Sequence, residues 1–500
     1  MRSSARWVIG AAALVAAGCA ARAGAPATTS ATAVESAVAL QPGLGARIDA
    51  IFNDPRFARA TWAVRIESLR DGRVVYTRNS DKLVIPASNM KLFTMAATAR
   101  RLGWDFTFET HLDAVGTVVD GTLNGDLIVV GSGDPSIDSV AFGPAPVFEE
   151  WASALTAAGI HRVNGRLIGD DSLFADDEIG PGWAWDYLND GYAAPSSALN
   201  YNENIAIIRV WPGTSVGMPA RIDVAPAGHG LTVTNSVATI GAGADTDVEQ
   251  ERGLYGTDVR LTGSIPLGRA TPLTITTSIQ NPTQFFVSGL HAALAARGIP
   301  VRGEAVDIDE TAAPNPGQRR RIATRRSQPL SSLGAYFMKS SRNFYGETFL
   351  KTLGSRFGRA GSTTAGRMVA RETLTQMGIP ADAYVMYDGS GLSRYNYVSS
   401  DAIVMLLKTV WQDDSLRAPF MAALAVAGQD GTLGSRMRNT ALAGRVQAKT
   451  GTISNVRSLS GFVDAPSGER FVFSMIANHF TVGTSAVDEV AESALLEIIK

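Results

Sequence analysis

Apolar residues alternate with others at Trp62, Val64 and Ile66, and a second extended run covers 74–77. Asp71-Gly72 lies between them, a pair suited to a tight reversal, so the stretch predicts a β-hairpin. Pro86 then opens a helix: Leu92, Met95, Ala96, Ala99 and Leu102 recur at helical spacing, and Gly103 stands where that helix would stop. From Phe106 to about Gln280 the pattern becomes short β runs broken by Gly, Asp and Pro, with one helix over 148–158. Helical spacing returns over 284–296, 330–339, 344–353, 365–377 and 401–411. Strands over 446–454, 458–463 and 470–478 predict a meander. A closing helix, about 486–499, gathers Val487, Val490, Ala491, Ala494, Leu495 and Ile498 on one face. The early hairpin and late meander would complete a five-stranded antiparallel sheet with helices on its faces, an α+β architecture. No solenoid repeat is present.

The chain of 500 residues has room for more than one domain. The texture divides it into an export signal (1–23), a flexible tether (24–40), one discontinuous domain (41–103 with 281–500), and one or two β-rich domains inserted at 104–280. Arg2 and Arg6 precede an apolar run over 7–17 that is too short to span a bilayer, as in an export signal. Ala21-Arg22-Ala23 suits cleavage, while Ala16-Ala17-Gly18-Cys19 suits lipidation at Cys19, so export to the periplasm or cell envelope is expected with or without a lipid anchor. That anchor would be the protein's one tie to a membrane. Cys19 is the sole cysteine, so packing rather than a disulfide must stabilise the chain. A formal net charge of −2 points to neither nucleic acid nor an anionic surface as partner.

Three short motifs carry candidate chemistry. Ser88-Asn89-Met90-Lys91 opens the first long helix, where residues three apart share a face, so the hydroxyl and amine can meet. A serine nucleophile needs an adjacent base, and a lysine can serve if burial or a nearby cation lowers its pKa. Ser341-Arg342-Asn343 falls at a helix–helix junction. Lys449-Thr450-Gly451-Thr452 lies in a strand, and Lys449 and Thr450 reach one site only along a strand edge, with Gly451 leaving room for a substrate backbone. Taken singly, each has an ordinary explanation: a capping serine beside a solvated lysine, a helix cap, a strand with a glycine bulge. Lysine usage sharpens the picture. Only seven of the 45 basic residues are lysine, and two fall in these motifs. Arginine cannot act as a base, so that role must keep lysine. The five histidines are isolated, none at metal-ligand spacing, and no P-loop is present; scattered positions leave a Ser-His-Asp arrangement open, but nothing nominates one.

In this order the motifs resemble those of the low-molecular-mass class C penicillin-binding proteins, the D-alanyl-D-alanine carboxypeptidase/endopeptidase family. The resemblance extends over nearly all of the chain after the signal, through strings such as Gly131-Ser132-Gly133-Asp134-Pro135, Ala194–Asn200, Asp388–Arg394 and Gly428–Leu433. Ser341 follows Ser88 by 253 positions, far more than in a compact β-lactamase and in keeping with that family's inserted domains. The resemblance implies a penicillin-binding/β-lactamase-like transpeptidase domain with an α cluster. It implies hydrolysis of peptidoglycan stem peptides or cross-links through an acyl-enzyme, with no metal or organic cofactor needed, and covalent inhibition by β-lactams. Ser88 would be the nucleophile, Lys91 its base, Ser341 a proton relay, and Asn343 a ligand of Lys91 and substrate. Lys449 would supply positive potential, Thr450 and Thr452 would bind the terminal carboxylate, and the backbone N–H groups of Ser88 and Thr452 would form an oxyanion hole. The second motif departs from the family's usual Asp at Arg342, whose side chain is expected to point away from the nucleophile. Asp186, with Asp190 as second choice, is the candidate reader of a cationic diamino-acid side chain, provided that it is partly desolvated. A penicillin sensor or scaffold with little turnover, or a β-lactamase or esterase, would use the same site. All three motifs lie outside 104–280, so the sequence predicts acylation chemistry that does not depend on the insert.

Overall fold

The hairpin forms as Thr61–Ser68 and Val74–Arg78. It completes an antiparallel sheet ordered Ala425–Val426, Val446–Ile453, Val456–Asp464, Arg470–Asn478, Thr61–Ser68, Val74–Arg78. The computed structural model describes residues 43–137, 147–176, 179–254, 256–312 and 317–500; the expected export signal, the tether and Cys19 lie outside them. The sheet has six strands rather than the expected five. The extra one, Ala425–Val426, is two residues long and too short to show an alternation in sequence.

Both faces of this sheet are buried, because successive side chains point to opposite sides. Trp62, Val64, Ile66, Phe471, Phe473 and Met475 pack under the terminal helices Leu44–Phe52 and Thr484–Ile498. Ala63, Val472 and Ile476 face an α cluster built from Met90–Leu102, Leu330–Lys339, Asn343–Phe357, Thr363–Gln376, Ser400–Gln412 and Asp414–Ala423. Periodicity did not reveal the last of these helices, which carries Pro419 in its interior. The bond Pro419 cannot donate would have gone to the carbonyl of Ser415; the Trp104 indole donates to that oxygen instead, at 3.1 Å. Among the described residues no helix is long and apolar enough to cross a membrane.

Between Met90–Leu102 and Leu330–Lys339 the chain builds a second sheet, ordered Ala305–Asp307, Leu167–Asp170, Thr122–Val130, Glu109–Val119, Arg319–Arg326. Helices Val147–Ala157 and Pro282–Ala296 share its core through Trp151, Leu127, Leu167, Phe286 and Leu290. Smaller sheets over 205–278 enclose Ile208, Val210, Leu261 and Ile265. The division at 280/281 is therefore corrected: Pro282–Ala296, Ala305–Asp307 and Arg319–Arg326 pack or pair with the inserted sheet, which runs to Arg326. Helical spacing at 284–296 reports a buried face but not the sheet that buries it.

Candidate active site

Residues Ala87–Asn89 form one 3-10 turn that runs directly into helix Met90–Leu102. Ala87 has φ 48, a left-handed conformation that costs free energy for any residue with a Cβ. Surrounding side chains hold it there. Ser458 Oγ donates to the Pro86 carbonyl at 2.8 Å, and Asn89 Nδ2 donates to Ser458 Oγ at 2.7 Å. The Asn478 amide accepts from Ile85 N–H at 2.9 Å and donates to its carbonyl at 3.0 Å. Ser88, half-buried, is thereby presented to a cleft.

One helical step on, the buried Nζ of Lys91 lies 2.9 Å from Ser88 Oγ, 2.6 Å from Asn343 Oδ1 and 2.5 Å from the Ser390 carbonyl. An ammonium would give one hydrogen to each. A neutral amine keeps two for Asn343 and Ser390 and turns its lone pair on the Ser88 hydroxyl. Burial pulls Lys91 down to about 7, against the opposing pull of Asp388 and Glu347. These two acids had no place in the sequence reading of the site. Asp388 accepts from the N–H groups of Gly391 (2.7 Å) and Ser393 (2.6 Å), from Asn396 Nδ2 (2.6 Å) and from the Trp183 indole (2.9 Å). Glu347 accepts from Gly389 and Ser390 N–H at 3.1 and 2.9 Å, and burial with Asp388 alongside pushes its carboxyl up. The result is a rigid loop that aims the Ser390 carbonyl at Lys91.

Ser341-Arg342-Asn343 lies at the junction of two helices, Asn343 opening the second, with Ser341 at φ 56. Lys449 Nζ donates to Ser341 Oγ and to the Thr450 carbonyl, both at 2.8 Å; burial, then Lys91, holds its pKa well below the ordinary lysine range. Strand Val446–Ile453 pairs along its whole length with Val456–Asp464, whereas Ala425–Val426 covers its other side only at Gln447 and Ala448. Its far edge is thus open from Lys449 onward, the edge geometry that the third motif requires. At Gly451 a Cβ would meet Ser458 Oγ at 2.2 Å and the Ser88 nitrogen at 2.9 Å, so only glycine lets strand and nucleophile turn approach. Thr450 Oγ1 donates to Thr432 Oγ1 at 2.7 Å, and Arg457 donates to Thr452 Oγ1. Arg342 points away from Ser88, toward Tyr336 and Glu203.

Ser88, Ser341, Asn343, Thr450 and Thr452 line one cleft of about 840 Å³, together with Tyr187, Tyr192, Leu392, Thr432 and Arg457. The tyrosines come from the insert. The Tyr192 carbonyl accepts from Asn343 Nδ2 at 2.9 Å, and Tyr187 packs on Leu392 and Trp183. The structure does not bring Asp186 into the site. It is exposed on the short turn Trp185–Tyr187 and outside the cleft lining; Asp190, half-buried, is outside that lining as well. Neighbours on so tight a turn diverge, and there the aromatic Tyr187 takes the inward place. The desolvation that Asp186 would need is absent, and an exposed ion pair contributes only about 0–1 kcal/mol.

Residues 44–496 match the D-Ala-D-Ala carboxypeptidase 3 (S13) family. The chain belongs to this family. A D-alanyl-D-alanine carboxypeptidase from an Actinomadura species is 32% identical over 443 residues, 86% of this chain and 80% of that one. A D-alanyl-D-alanine carboxypeptidase from Haemophilus influenzae is 25% identical over 420 residues, 83% of this chain and 85% of its own. In fold, the chain matches crystal structures of penicillin binding protein 4 from Haemophilus influenzae. TM-scores are 0.78 and, for that protein complexed with a β-lactam, 0.74, at 24% and 23% identity, each over 91% of this chain and 99% of the other. Membership of the S13 family makes this protein a serine-type D-Ala-D-Ala carboxypeptidase, a hydrolase on the penicillin-binding/β-lactamase-like fold.

Proposed function

We propose that the protein cleaves peptidoglycan stem peptides or cross-links through an acyl-enzyme on Ser88, and that β-lactams arrest it at that stage. The observation that carries this reading is the buried amine of Lys91, 2.9 Å from Ser88 Oγ and lowered to about 7. The Ser88 oxygen attacks the carbonyl carbon of the penultimate D-Ala as its proton passes to neutral Lys91. The Ser88 and Thr452 N–H groups stabilise the oxyanion; losing one such donor commonly costs about a hundredfold to a thousandfold in rate. The C–N bond then breaks, Ser341 relays a proton to the leaving amine, and Asn343 keeps Lys91 and the substrate backbone aligned. Thr450 and Thr452 bind the leaving residue's carboxylate, whose negative charge opposes the burial that disfavours the charged form of Lys449. Water repeats the attack on the ester and frees Ser88. Export to the cell envelope belongs to the same proposal, since the substrate lies there.

Mass spectrometry of the intact protein with benzylpenicillin, and separately with a cell-wall pentapeptide, tests it. A stable one-to-one penicillin adduct on Ser88, together with catalytic release of D-Ala, is expected. An adduct without turnover of peptide would reassign the chain as a penicillin sensor, and rapid hydrolysis of the penicillin would reassign it as a β-lactamase.

A further inference from the structure

Arg342 stands between two residues of the site, and its own contacts lead into the inserted block. Its Nε donates to the Tyr336 hydroxyl at 2.8 Å and lies 3.3 Å from Glu203 Oε2; the Tyr336 hydroxyl donates to Glu203 Oε1 at 2.9 Å. The guanidinium also lies over the Tyr336 ring, 5.5 Å from its centre. Burial and Glu203 push Tyr336 up to about 12, so it remains a donor. Glu203 is 3% exposed although it is a carboxylate. The backbone that carries it is unusual: Asn202, Glu203 and Asn204 all have positive φ, at 48, 53 and 55. Asparagine side chains hold this run in place. Asn204 Nδ2 donates to the Pro195 carbonyl and to Asn200 Oδ1, both at 2.8 Å, and Asn202 Nδ2 donates to the Ile205 carbonyl at 2.8 Å. Three consecutive left-handed residues are costly, and such strain concentrates where a side chain must be aimed. On the other side of the contact Ser341 is also left-handed, with its hydroxyl on Lys449, and Asn343 is on Lys91.

We propose that Glu203 is a positioning residue for the peptidase reaction: through Arg342 it fixes the turn that presents Ser341 to Lys449 and Asn343 to Lys91. The proposal rests on the roles given above to those four residues. The arginine in the second motif then has a reason. An acid at that position would face Glu203 with like charge, whereas Arg342 turns the insert's buried carboxylate into an anchor.

The test is a cycle of Glu203→Gln, Arg342→Gln and the double variant in the full-length protein. First-order acylation by benzylpenicillin is measured with active sites counted by end-point labelling, so unfolded molecules drop out. Each single variant is expected to lower the acylation constant about tenfold while the pre-covalent dissociation constant stays within about twofold, and the double variant to be no slower than the slower single, because both changes break one path. Singles that lower only thermal stability, with acylation per active site unchanged, would overturn the proposal, as would losses that simply multiply. If a single variant does not fold, Tyr336→Phe removes the shared hydroxyl but keeps the ring and the ion pair; a fall of about threefold supports the anchor, and wild-type acylation overturns it. Failure of the wild-type protein to label at Ser88 would refute the proposed reaction itself, a result distinct from either.

Discussion

Lys91 has two demands on it, to hold a proton briefly and to lose it near neutrality, and only an amine meets both. Lys91→Arg keeps the charge but cannot deprotonate, so acylation by benzylpenicillin should fall by about a hundredfold to ten-thousandfold, close to the loss in Lys91→Ala. The same reasoning fixes a pH profile. Acylation requires the neutral amine, and burial puts its pKa at about 7. The wild-type rate should therefore rise tenfold per pH unit below that point and level off above it, as stopped-flow acylation across pH 5 to 9 would show. A rate that is flat through this range would mean that another group takes the proton. Asp186 gives the opposite expectation. It is exposed and outside the cleft, so Asp186→Asn should leave unchanged the ratio of kcat/KM values for peptides with and without a side-chain amine. A shift of that ratio beyond about threefold would restore Asp186 as a reader of the substrate.

Among the elements, the nucleophile turn depends on the loop beneath it. Gly391 has φ 88, and a Cβ there would lie 1.9 Å from the Ala87 carbonyl oxygen and 3.0 Å from the Ser88 nitrogen. Gly468, in the turn between the last two strands, has φ 80 with nothing within 4 Å. Alanine at either position should cost about 1–2 kcal/mol of stability from the left-handed backbone alone. Only Gly391→Ala should also slow acylation, because it displaces the turn that carries Ser88. Denaturant melts paired with penicillin labelling separate the two effects; equal labelling rates in both variants would show that the turn does not lean on this loop. The elements bearing the three motifs were legible in the sequence because each has a local signal: helical spacing after Pro86, a polar junction at 340–343, and a first strand of the closing meander over 446–454. The helix Asp414–Ala423 was not, since Pro419 argues against it and its compensation comes from Trp104, some 300 residues away in sequence. Glu347 and Asp388 escaped notice for a related reason: an acid's role near Lys91 follows from burial, which sequence spacing does not report.

At the scale of the whole molecule, the insert is part of the site's construction rather than an ornament on a self-sufficient core. The sequence suggested otherwise because all three motifs lie outside it, and motif position says nothing about which groups support the motifs. Hydrogen bonds and ion pairs cross from the insert to the site, among them Asn343 to the Tyr192 carbonyl, the Tyr187 hydroxyl to Ser454, Arg342 to Glu203, and the Trp183 indole to Asp388. The last reaches the loop that aims the Ser390 carbonyl at Lys91. Asp388 is fully buried, and each of its oxygens is served by two donors. Trp183→Phe keeps an aromatic ring in the contact and removes one donor, leaving Oδ2 with Ser393 N–H alone. An under-bonded buried carboxylate costs about 1–3 kcal/mol, part of which the loop can recover by shifting. Any shift moves Ser390 and hence Lys91, so acylation should slow about threefold to tenfold, an activation cost of about 1 kcal/mol. The pH at which the rate levels off should move as well, because Asp388 helps set the charge state of Lys91. A loop that shifts takes the Asp388 charge away from Lys91, its pull on the Lys91 proton weakens, and the midpoint should fall below that of the wild type. A variant with wild-type acylation and an unmoved midpoint would mean that the loop is held by the catalytic part alone, and that the insert touches it without shaping it.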